Sequence, residues 1–484
     1  MTLLKTINTK YYEYASYAFV VFIAAALRFY RLGNPKDLMF DETYYVKDAY
    51  SYTQSGYERS WTSDPNPKFI QGDTSGLTNV PEYVVHPPVG KWMIATGIDI
   101  FGQPSSFGWR FATALTGTLL VVVLIAVAKK LFKSPLLAAT AGLFLAIDGE
   151  AISTSRTSIL DIYLTFWLLL AFYFMLVDRE KVRQEVNAQG LGMKLWRPYR
   201  LLTGVSLGLA LGVKWTALYF IAAWGILIVL WDITLNIKNL KHSPLAFLYI
   251  VPVGLVTYIA TWTGWIISSN GYDRSWAKDN PEQTVSWLPD WVQSLWAYHQ
   301  SAYSFHTHLH SNHPYKAEAI TWLLQIRPTA FYYKAYTKGQ NGCTVDKCSA
   351  AVTNLGNPFL WWFATIALFI VLYYLITRKD WRAGAILSGV AAGWLPWFMY
   401  PERTTYNFYA VAFLPYMVLA LVYVLGLVLG NKNYGEKRRQ VGFILFIAIV
   451  VFLVLISAFF YPVWSAEMIP YSSWRARMWF GSWI

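Results

Sequence analysis

The sequence contains few charged residues and almost no cysteine. Charged residues make up 14% of the 484 residues, and there are only 2 cysteines. Soluble domains usually contain about 25% charged residues. The low charge argues against a soluble protein and a disordered chain, and the cysteine count argues against a disulfide-rich secreted domain. There is also no internal repeat and no low-complexity segment.

Apolar residues are abundant instead, at 56% of the chain. Apolar runs near the length that crosses a hydrocarbon core of about 30 Å recur along the whole sequence. They predict an all-α integral membrane protein, in which the fifth and sixth spans are short and meet at a turn around Lys214. About eleven transmembrane helices are expected, near residues 12–31, 107–128, 135–151, 158–177, 201–213, 216–231, 245–267, 356–377, 383–399, 405–429 and 441–462.

The net charge of +13 is explained by loops on one side of the membrane. Half of the 40 Lys and Arg residues fall in the N-terminal segment and in the short loops on the same side of the membrane. Cytoplasmic loops carry such an excess. We therefore predict a multi-pass protein of the cell membrane with a cytoplasmic N-terminus and an exoplasmic C-terminus. Because cytoplasmic loops account for the positive charge, we predict no nucleic-acid partner. No cleavable signal pattern precedes the first span.

Two long loops, residues 32–106 and 268–355, fall on the exoplasmic side of this topology. Loops of this length in a compact protein are usually functional or disordered, and their many Trp, Tyr, Pro and His residues do not suggest disorder. Both contain stretches that could form interfacial helices. We interpret residues 1–484 as one membrane domain whose working surface lies outside the cytoplasm.

The first loop begins with an adjacent pair of carboxylates, Asp41 and Glu42. Adjacent residues lie about 100° apart on a helix, so only one of them is expected to point at a reacting atom. One could act as a base and the other as its supporting acid. The alternative is that Asp41 caps an interfacial helix while Glu42 interacts with its dipole. The spacing alone favours the alternative.

Cys343 and Cys348 both lie in the second long loop. Two cysteines that face an oxidising compartment favour a small disulfide-closed loop over a metal or redox pair. Two free thiols in a mobile segment are the competing interpretation.

A set of fragments spread over most of the chain resembles the protein O-mannosyltransferase family. Each fragment is weak alone, but their order, spacing and placement together are specific. They are Phe40-Asp41-Glu42-Thr43-Tyr44-Tyr45, His86-Pro87-Pro88-Val89-Gly90-Lys91-Trp92, Trp109-Arg110-Phe111, Ser155-Arg156 with Leu160-Asp161, Gly212-Val213-Lys214-Trp215-Thr216, His306-Thr307-His308, Trp322, and Arg327-Pro328 with Tyr332-Tyr333.

The resemblance implies a bundle of the GT-C type that transfers mannose from polyprenyl-phosphate-mannose to Ser or Thr of secreted or membrane proteins. Membrane lipid and a translocation channel are the further partners that it suggests. The second long loop is too short to hold an inserted sugar-binding domain, so the chain resembles bacterial rather than fungal or animal members.

The chemistry of such a transfer needs one base and several cations. The acceptor hydroxyl must lose a proton, and the charge on the departing phosphate must be neutralised. Asp41 occupies the family's catalytic position and is the predicted base, with Glu42 as the supporting acid, in a single displacement that inverts the anomeric carbon. Because phosphate leaves without a proton donor, no cofactor is required, and a divalent metal is not indicated.

Six cations near the outer face are candidate ligands for the donor phosphate. Arginine matches phosphate in a two-pronged geometry. Snorkelling to headgroups is an equal alternative for Arg28 and Arg31, and an ordinary ion pair, such as Arg403 with Glu402, is an alternative for the others. The candidates are Arg28, Arg31, Lys91, Arg110, Arg327 and Arg403.

Aromatic and histidine residues in the same fragments are candidates for binding sugar or acceptor. Alternating histidines at 306, 308, 310 and 313 could share a metal, but no carboxylate ligand accompanies them, so we predict no metal site. The candidates are Tyr44, Tyr45, His86, Trp92, His306, His308 and Trp322.

Two other functions are compatible with the fold class. A lipid-linked-sugar transferase could use arabinose or aminoarabinose and a lipid or glycan acceptor. A secondary transporter would show inverted repeats and charges at the membrane midplane, and neither pattern is present.

Overall fold

The computed structural model describes residues 2–189, 196–235, 241, 243–430 and 433–484. Parts of the predicted basic inner loops, at residues 1, 190–195, 236–240, 242 and 431–432, lie outside that description. The described chain is mainly helical, as predicted.

The N-terminal half contains twelve helices among the described residues and one two-stranded hairpin. The hairpin pairs β1 (Arg59–Trp61) with β2 (Leu77–Pro81). The helices are α1 (Thr2–Phe29), α2 (Glu42–Ser55), α3 (Asn66–Phe69), α4 (Val89–Phe101), α5 (Ser106–Phe132), α6 (Pro135–Ile147), α7 (Gly149–Ser155), α8 (Asp161–Gln189), α9 (Pro198–Leu211), α10 (Ala217–Ile233), α11 (Ser243–Ala260) and α12 (Thr263–Ile267).

The C-terminal half adds eight helices, among the same described residues, and an antiparallel sheet of order β3-β4-β5. The strands are β3 (Thr329–Thr337), β4 (Lys347–Asn354) and β5 (Ile469–Pro470). The helices are α13 (Trp276–Asp279), α14 (Asp290–Thr307), α15 (Ala319–Trp322), α16 (Pro358–Arg378), α17 (Trp381–Trp394), α18 (Leu414–Leu429), α19 (Glu436–Phe460) and α20 (Tyr471–Arg475), with short 3₁₀ turns at Pro281–Gln283, Leu395–Met399, Asn407–Ala412, Tyr461–Val463 and Gly481–Trp483.

Four helices in the described part of the chain are long and apolar enough to cross a membrane. A fifth span results if the bent pair α6 and α7 is counted as one. The predicted count of eleven is therefore not confirmed. Breaks shorten several predicted spans, because α11 ends before α12, α17 ends just before Pro396, and a 3₁₀ turn precedes α18. The four are Ser106–Phe132, Asp161–Asn187, Pro358–Arg378 and Glu436–Val463.

Helix α5 lies at the centre of the N-terminal half, where α1, α4, α6 and α8 pack against it. Helices α9 and α11 approach closely through glycines. A Cβ on Gly208 would lie 2.5 Å from the carbonyl oxygen of Gly254, so no larger residue fits there. Small residues permit this close contact between helices in a membrane, where burial of apolar surface supplies little driving force.

The two long loops contain strands as well as helices, which the all-α prediction did not include. The first loop holds α2, α3, α4 and the β1–β2 hairpin, and the second holds α13, α14, α15 and the β3–β4 hairpin. A disulfide joins Cys343 to Cys348 across the end of the second hairpin. The predicted disulfide-closed loop is therefore present.

Candidate active site

Helix α2 begins directly after Asp41, and this start separates the two adjacent carboxylates. Asp41 occupies the cap position, but its side chain makes no capping hydrogen bond. Glu42 is fully buried. Phe40 has a φ of 47°, a left-handed conformation that is uncommon for a residue with a side chain. Its ring is held 5.2 Å from that of Phe331 and 5.6 Å from that of Phe408.

Glu42 is anchored by a two-pronged ion pair with Arg110. Arg110 Nε lies 2.8 Å from Glu42 Oε1, and one terminal nitrogen lies 2.7 Å from Oε2. The backbone N–H groups of Met39 and Ser158 donate to the same carboxylate, each at 2.8 Å. Since both oxygens accept two bonds, the pair holds the start of α2 against α5 and the residues before α8.

The remaining donors of Arg110 bind the chain segment that leads to Asp41. They reach the carbonyl oxygens of Leu32, Pro35 and Asp37 at 3.4, 2.6 and 2.8 Å. All five N–H groups of this guanidinium thus have acceptors, and the side chain is fully buried. Arg110, predicted to bind donor phosphate, has no donor left for it in this structure.

The Asp41 carboxylate has no hydrogen bond or ion pair among the residues that the structure describes. Burial raises the pKa of Asp41 to about 6. The nearby Lys214 ammonium opposes this increase, and the Asp161 carboxylate adds to it. An unpaired carboxylate with a pKa near 6 has the protonation behaviour that a general base needs near neutral pH.

A cavity of about 310 Å³ lies next to these two charged residues. Lys214 and Asp161 line it and interact electrostatically with Asp41, which is not itself a lining residue. The wall of the cavity comes from the loop before α4, the start of α8, the α9–α10 turn, the end of α14 and the segment after α17. Charged or histidine side chains on this wall are His86, Asp161, Lys214, His306 and Arg403, and the other lining residues are Leu164, Trp215, Thr216, Leu218, Tyr219, Phe220, Tyr303, Thr307, Ala392, Gly393, Trp397, Tyr400, Tyr409 and Ala412.

Lys214 and Asp161 form an ion pair on the cavity wall. Lys214 Nζ lies 2.9 and 2.7 Å from the two carboxylate oxygens of Asp161 and 5.3 Å from the ring centre of Tyr409. Asp161 therefore pairs with Lys214 and not with Arg156, the nearest basic residue before it in the chain. Arg156 donates to backbone carbonyls instead, including those of Arg28 and Tyr30.

Arg403 is the predicted phosphate ligand that lines the cavity. Its Nε donates to the carbonyl oxygen of His306 at 2.8 Å, and its guanidinium carbon lies 5.4 Å from the ring centre of Trp397. The anticipated ion pair with Glu402 does not form between these described residues. Arg403 therefore brings a positive charge to the cavity with no acid paired to it in the described structure.

His86 and His306 meet at the same wall, with their ring centres 5.1 Å apart. The Nε2 atom of His306 lies 2.8 Å from the carbonyl oxygen of Val85. Burial lowers the pKa of His306 to about 4, and it lowers that of His86 well below its usual value, with Lys214 adding to the effect. Both rings are neutral at pH 7. The buried Nδ1 of His86 has no partner in the described structure.

Four other predicted phosphate ligands lie away from the cavity. Arg28 is fully buried and donates to Ser155 Oγ at 3.2 Å and to the Ala146 carbonyl oxygen at 3.0 Å. Lys91 is buried, pairs with Glu58 and donates to the His86 carbonyl oxygen at 2.8 Å.

The last two of these cations are nearer the surface. Arg31 is exposed. Arg327 donates to the carbonyl oxygens of Pro314, Ser482 and Ile484, so it holds the C-terminal residues in place.

The residues predicted to bind sugar or acceptor also differ in their position relative to the cavity. Tyr45 lies near the cavity, with its ring centre 6.1 Å from that of His86. Trp322 is fully buried behind the wall, where it packs on Trp397. Only His86 and His306 of the seven candidates line the cavity. The other three are the exposed Tyr44, Trp92 beside Tyr52, and His308 at the end of α14.

The four alternating histidines do not form a metal site in the described residues, where no group of three or more His, Cys, Asp or Glu side chains could hold an ion. His310 Nδ1 lies 3.0 Å from the Glu402 carbonyl oxygen, and His313 packs on Tyr406. That the reaction needs no divalent ion stays a prediction.

Several cavity residues were not predicted, chiefly Tyr219, Tyr303, Trp397, Tyr400 and Tyr409. They come from α10, α14 and the segment after α17, which meet only in the folded chain. The hydroxyl oxygens of Tyr219 and Tyr400, for example, lie 3.2 Å apart although 181 positions separate them. The sequence signals near them are the Lys214-Trp215-Thr216 fragment, which directly precedes α10, and the His306-Thr307-His308 fragment, which follows Tyr303.

Solved structures with the same fold include protein O-mannosyltransferase and ArnT structures. The Saccharomyces cerevisiae Pmt1–Pmt2 complex bound to the sugar donor has a chain that matches with a TM-score of 0.74 at 14% identity, covering 98% of this chain and 92% of that one. ArnT from Cupriavidus metallidurans bound to undecaprenyl phosphate matches with a TM-score of 0.52 at 15% identity, covering 95% and 74%. These matches confirm the predicted GT-C-type fold.

Sequence comparison assigns the chain to one family within this fold. The model for dolichyl-phosphate-mannose-protein mannosyltransferase matches residues 18–268, and the model for the C-terminal four-transmembrane region of protein-O-mannosyltransferase matches residues 291–483. A polyprenol-phosphate-mannose–protein mannosyltransferase of Mycolicibacterium smegmatis (strain MKD8) is 31% identical, over 97% of this chain and 93% of that protein. The chain therefore belongs to the protein O-mannosyltransferase family.

Proposed function

We propose that the Asp41 carboxylate is the general base of a protein mannosyltransferase that uses polyprenyl-phosphate-mannose. The activity follows from family membership, and the transporter alternative has no support. The observation that carries the catalytic assignment is an unpaired carboxylate that interacts with Lys214 and Asp161, two lining residues of a cavity with two cationic side chains. Neither Glu42 nor Asp161 offers such a group, because each is already paired with a cation.

The reaction is a single displacement at the anomeric carbon of mannose. Asp41 takes the proton of a Ser or Thr hydroxyl while the hydroxyl oxygen bonds to the anomeric carbon. At the same time the bond from that carbon to the phosphate oxygen breaks, and polyprenyl phosphate leaves. One displacement inverts the anomeric configuration, as in other reactions in which a carboxylate activates a nucleophile opposite the leaving group.

Arg403 and Lys214 are the cations that support departure of the phosphate. Both line the cavity, and Arg403 carries no paired acid in the described structure. A preorganised positive charge stabilises the transition state where negative charge develops. Glu42 and Arg110 act as positioning residues, and Lys91 supports the backbone of His86. Since the protein supplies these cations itself, no divalent ion or cofactor is needed.

His86, His306 and Tyr45 are suited to bind the sugar. A neutral imidazole offers one donor and one acceptor to hydroxyl groups. The unpartnered Nδ1 of His86 marks a polar atom that a sugar hydroxyl would satisfy.

The predicted topology completes the proposal. Eleven spans, a cytoplasmic N-terminus and an exoplasmic C-terminus place the cavity at the outer face, where secreted polypeptides emerge. A translocation channel is a candidate partner because it delivers acceptors in extended form.

Transfer of labelled mannose tests the function. Purified protein in lipid nanodiscs, given polyprenyl-phosphate-mannose and a Ser- and Thr-containing peptide, is expected to label the peptide with or without EDTA. Polyprenyl-phosphate-arabinose is the control donor. Labelling from the arabinose donor but not from the mannose donor would contradict the mannosyltransferase activity. Loss of labelling with EDTA would overturn the metal-free mechanism.

The acid side of the pH profile is expected to report Asp41. A base acts when deprotonated, so kcat/KM should fall about tenfold per pH unit below a pH near 6, the raised pKa of Asp41, and level off above it. The donor is a phosphodiester that does not titrate in this range, and donor binding measured at the same pH values is the control. A flat profile between pH 5 and 8 would contradict Asp41 as the base.

A further inference from the structure

Strand β3 forms an open edge of the three-stranded sheet. It pairs with β4 on one side, and β5 pairs with the far side of β4. The side chains of residues 333–335 are exposed. Among the described residues, the backbone groups of 330–336 make no hydrogen bond outside the β3–β4 ladder. Half of the backbone donors and acceptors along this strand therefore face no protein partner.

An open edge of this length is unusual unless it is used, because unpaired strands attract other chains. Proteins commonly protect such edges with a covering loop or a bulge. The register of β3 shifts only near its start, between Ala330 and Tyr332, and the following five residues pair regularly with β4. This regular stretch is a preformed template for one more strand.

Strand β3 begins close to the segment that presents the proposed base. The ring of Phe331 lies 5.2 Å from that of Phe40, the residue directly before Asp41. Farther along β3, the Tyr332 hydroxyl donates to the Asp37 carboxylate at 3.3 Å, and Lys334 Nζ lies 3.8 Å from the same residue. The start of β3 is thus tied directly to the segment that presents Asp41.

The hairpin is also rigid. The Cys343–Cys348 disulfide closes its tip, and all of β4 beyond Lys347 is buried. A hydrogen bond of 3.1 Å between Tyr333 and Ser349 joins the two strands. A rigid edge has little conformational entropy of its own to lose when another chain pairs with it, which favours binding.

We propose that the acceptor polypeptide binds as an additional strand along β3, with its Ser or Thr residue near Asp41. This inference rests on the proposed function. Strand addition gives affinity through the backbone, and every polypeptide has the same backbone groups. It therefore accounts for recognition of an extended, unfolded acceptor with little demand on its sequence.

Acceptor peptides with one N-methylated residue test this mode without altering the protein. Residues on one strand point their N–H groups alternately toward and away from a neighbour. N-methylation at every second residue should raise KM about 2- to 10-fold, the effect of one lost backbone hydrogen bond, while the intervening residues stay near the value of the parent peptide. A flat or non-alternating profile would overturn strand addition.

Hydrogen exchange provides a readout that does not need turnover. Saturating parent peptide should slow exchange of the 329–337 segment, whereas the β1–β2 hairpin at 59–81 serves as the matched control. Unchanged exchange in β3 would overturn the proposal. If the parent peptide is not mannosylated, the proposed function fails on that result, and the exchange measurement still decides the docking mode.

Discussion

Asp41→Asn is expected to lower kcat for mannose transfer by about 10²- to 10⁴-fold, the contribution of a positioned general base. Asparagine keeps the size of the side chain but cannot accept the proton of the acceptor hydroxyl. Because Asp41 makes no hydrogen bond or ion pair with the described residues, its replacement breaks no such bond in the fold. Donor affinity and the unfolding temperature should therefore remain close to those of the wild type.

The measurement is single-turnover transfer of labelled mannose, with donor binding measured on the same preparation. Asp48→Asn is the matched control in the same helix. Burial raises the pKa of Asp48 to about 8, so this acid is mostly neutral at pH 7, and asparagine replaces it without a change of charge. Equal transfer by Asp41→Asn and wild type would refute the assignment of Asp41.

Glu42→Gln is expected to destabilise the protein by about 3–5 kcal/mol, the usual cost of removing one partner from a buried ion pair. The change leaves the Arg110 guanidinium charged, fully buried and without its two-pronged partner. Transfer should fall as well, because the pair holds the start of α2 and hence the position of Asp41. In contrast to Asp41→Asn, the loss of activity should follow the loss of stability.

Thermal unfolding followed by tryptophan fluorescence measures this effect. Lys130→Met is the control, since it breaks an ion pair with Glu180 that is about one-third exposed and should cost at most about 1 kcal/mol. An equal loss in Glu42→Gln and Lys130→Met would show that the buried pair is not structural.

Composition and apolar runs were enough to predict a helical membrane protein, and the ordered fragments were enough to predict its family. Both features are local, because each apolar run and each fragment can be read without knowing its neighbours in space. The number of membrane spans was harder to predict from the apolar runs. The breaks before α12, after α17 and before α18 interrupt stretches that stay apolar, so average apolar character does not report them.

The sequence by itself determined that Asp41 and Glu42 are adjacent in the first long loop, but not that their roles differ. That difference comes from tertiary structure: the turn of the helix directs Glu42 toward Arg110, 68 positions away, and leaves Asp41 without a partner in the described structure. The cavity is likewise decided by folding, since its wall joins residues from His86 to Ala412. Burial and pairing set which charged groups remain free for chemistry, and both depend on distant parts of the chain.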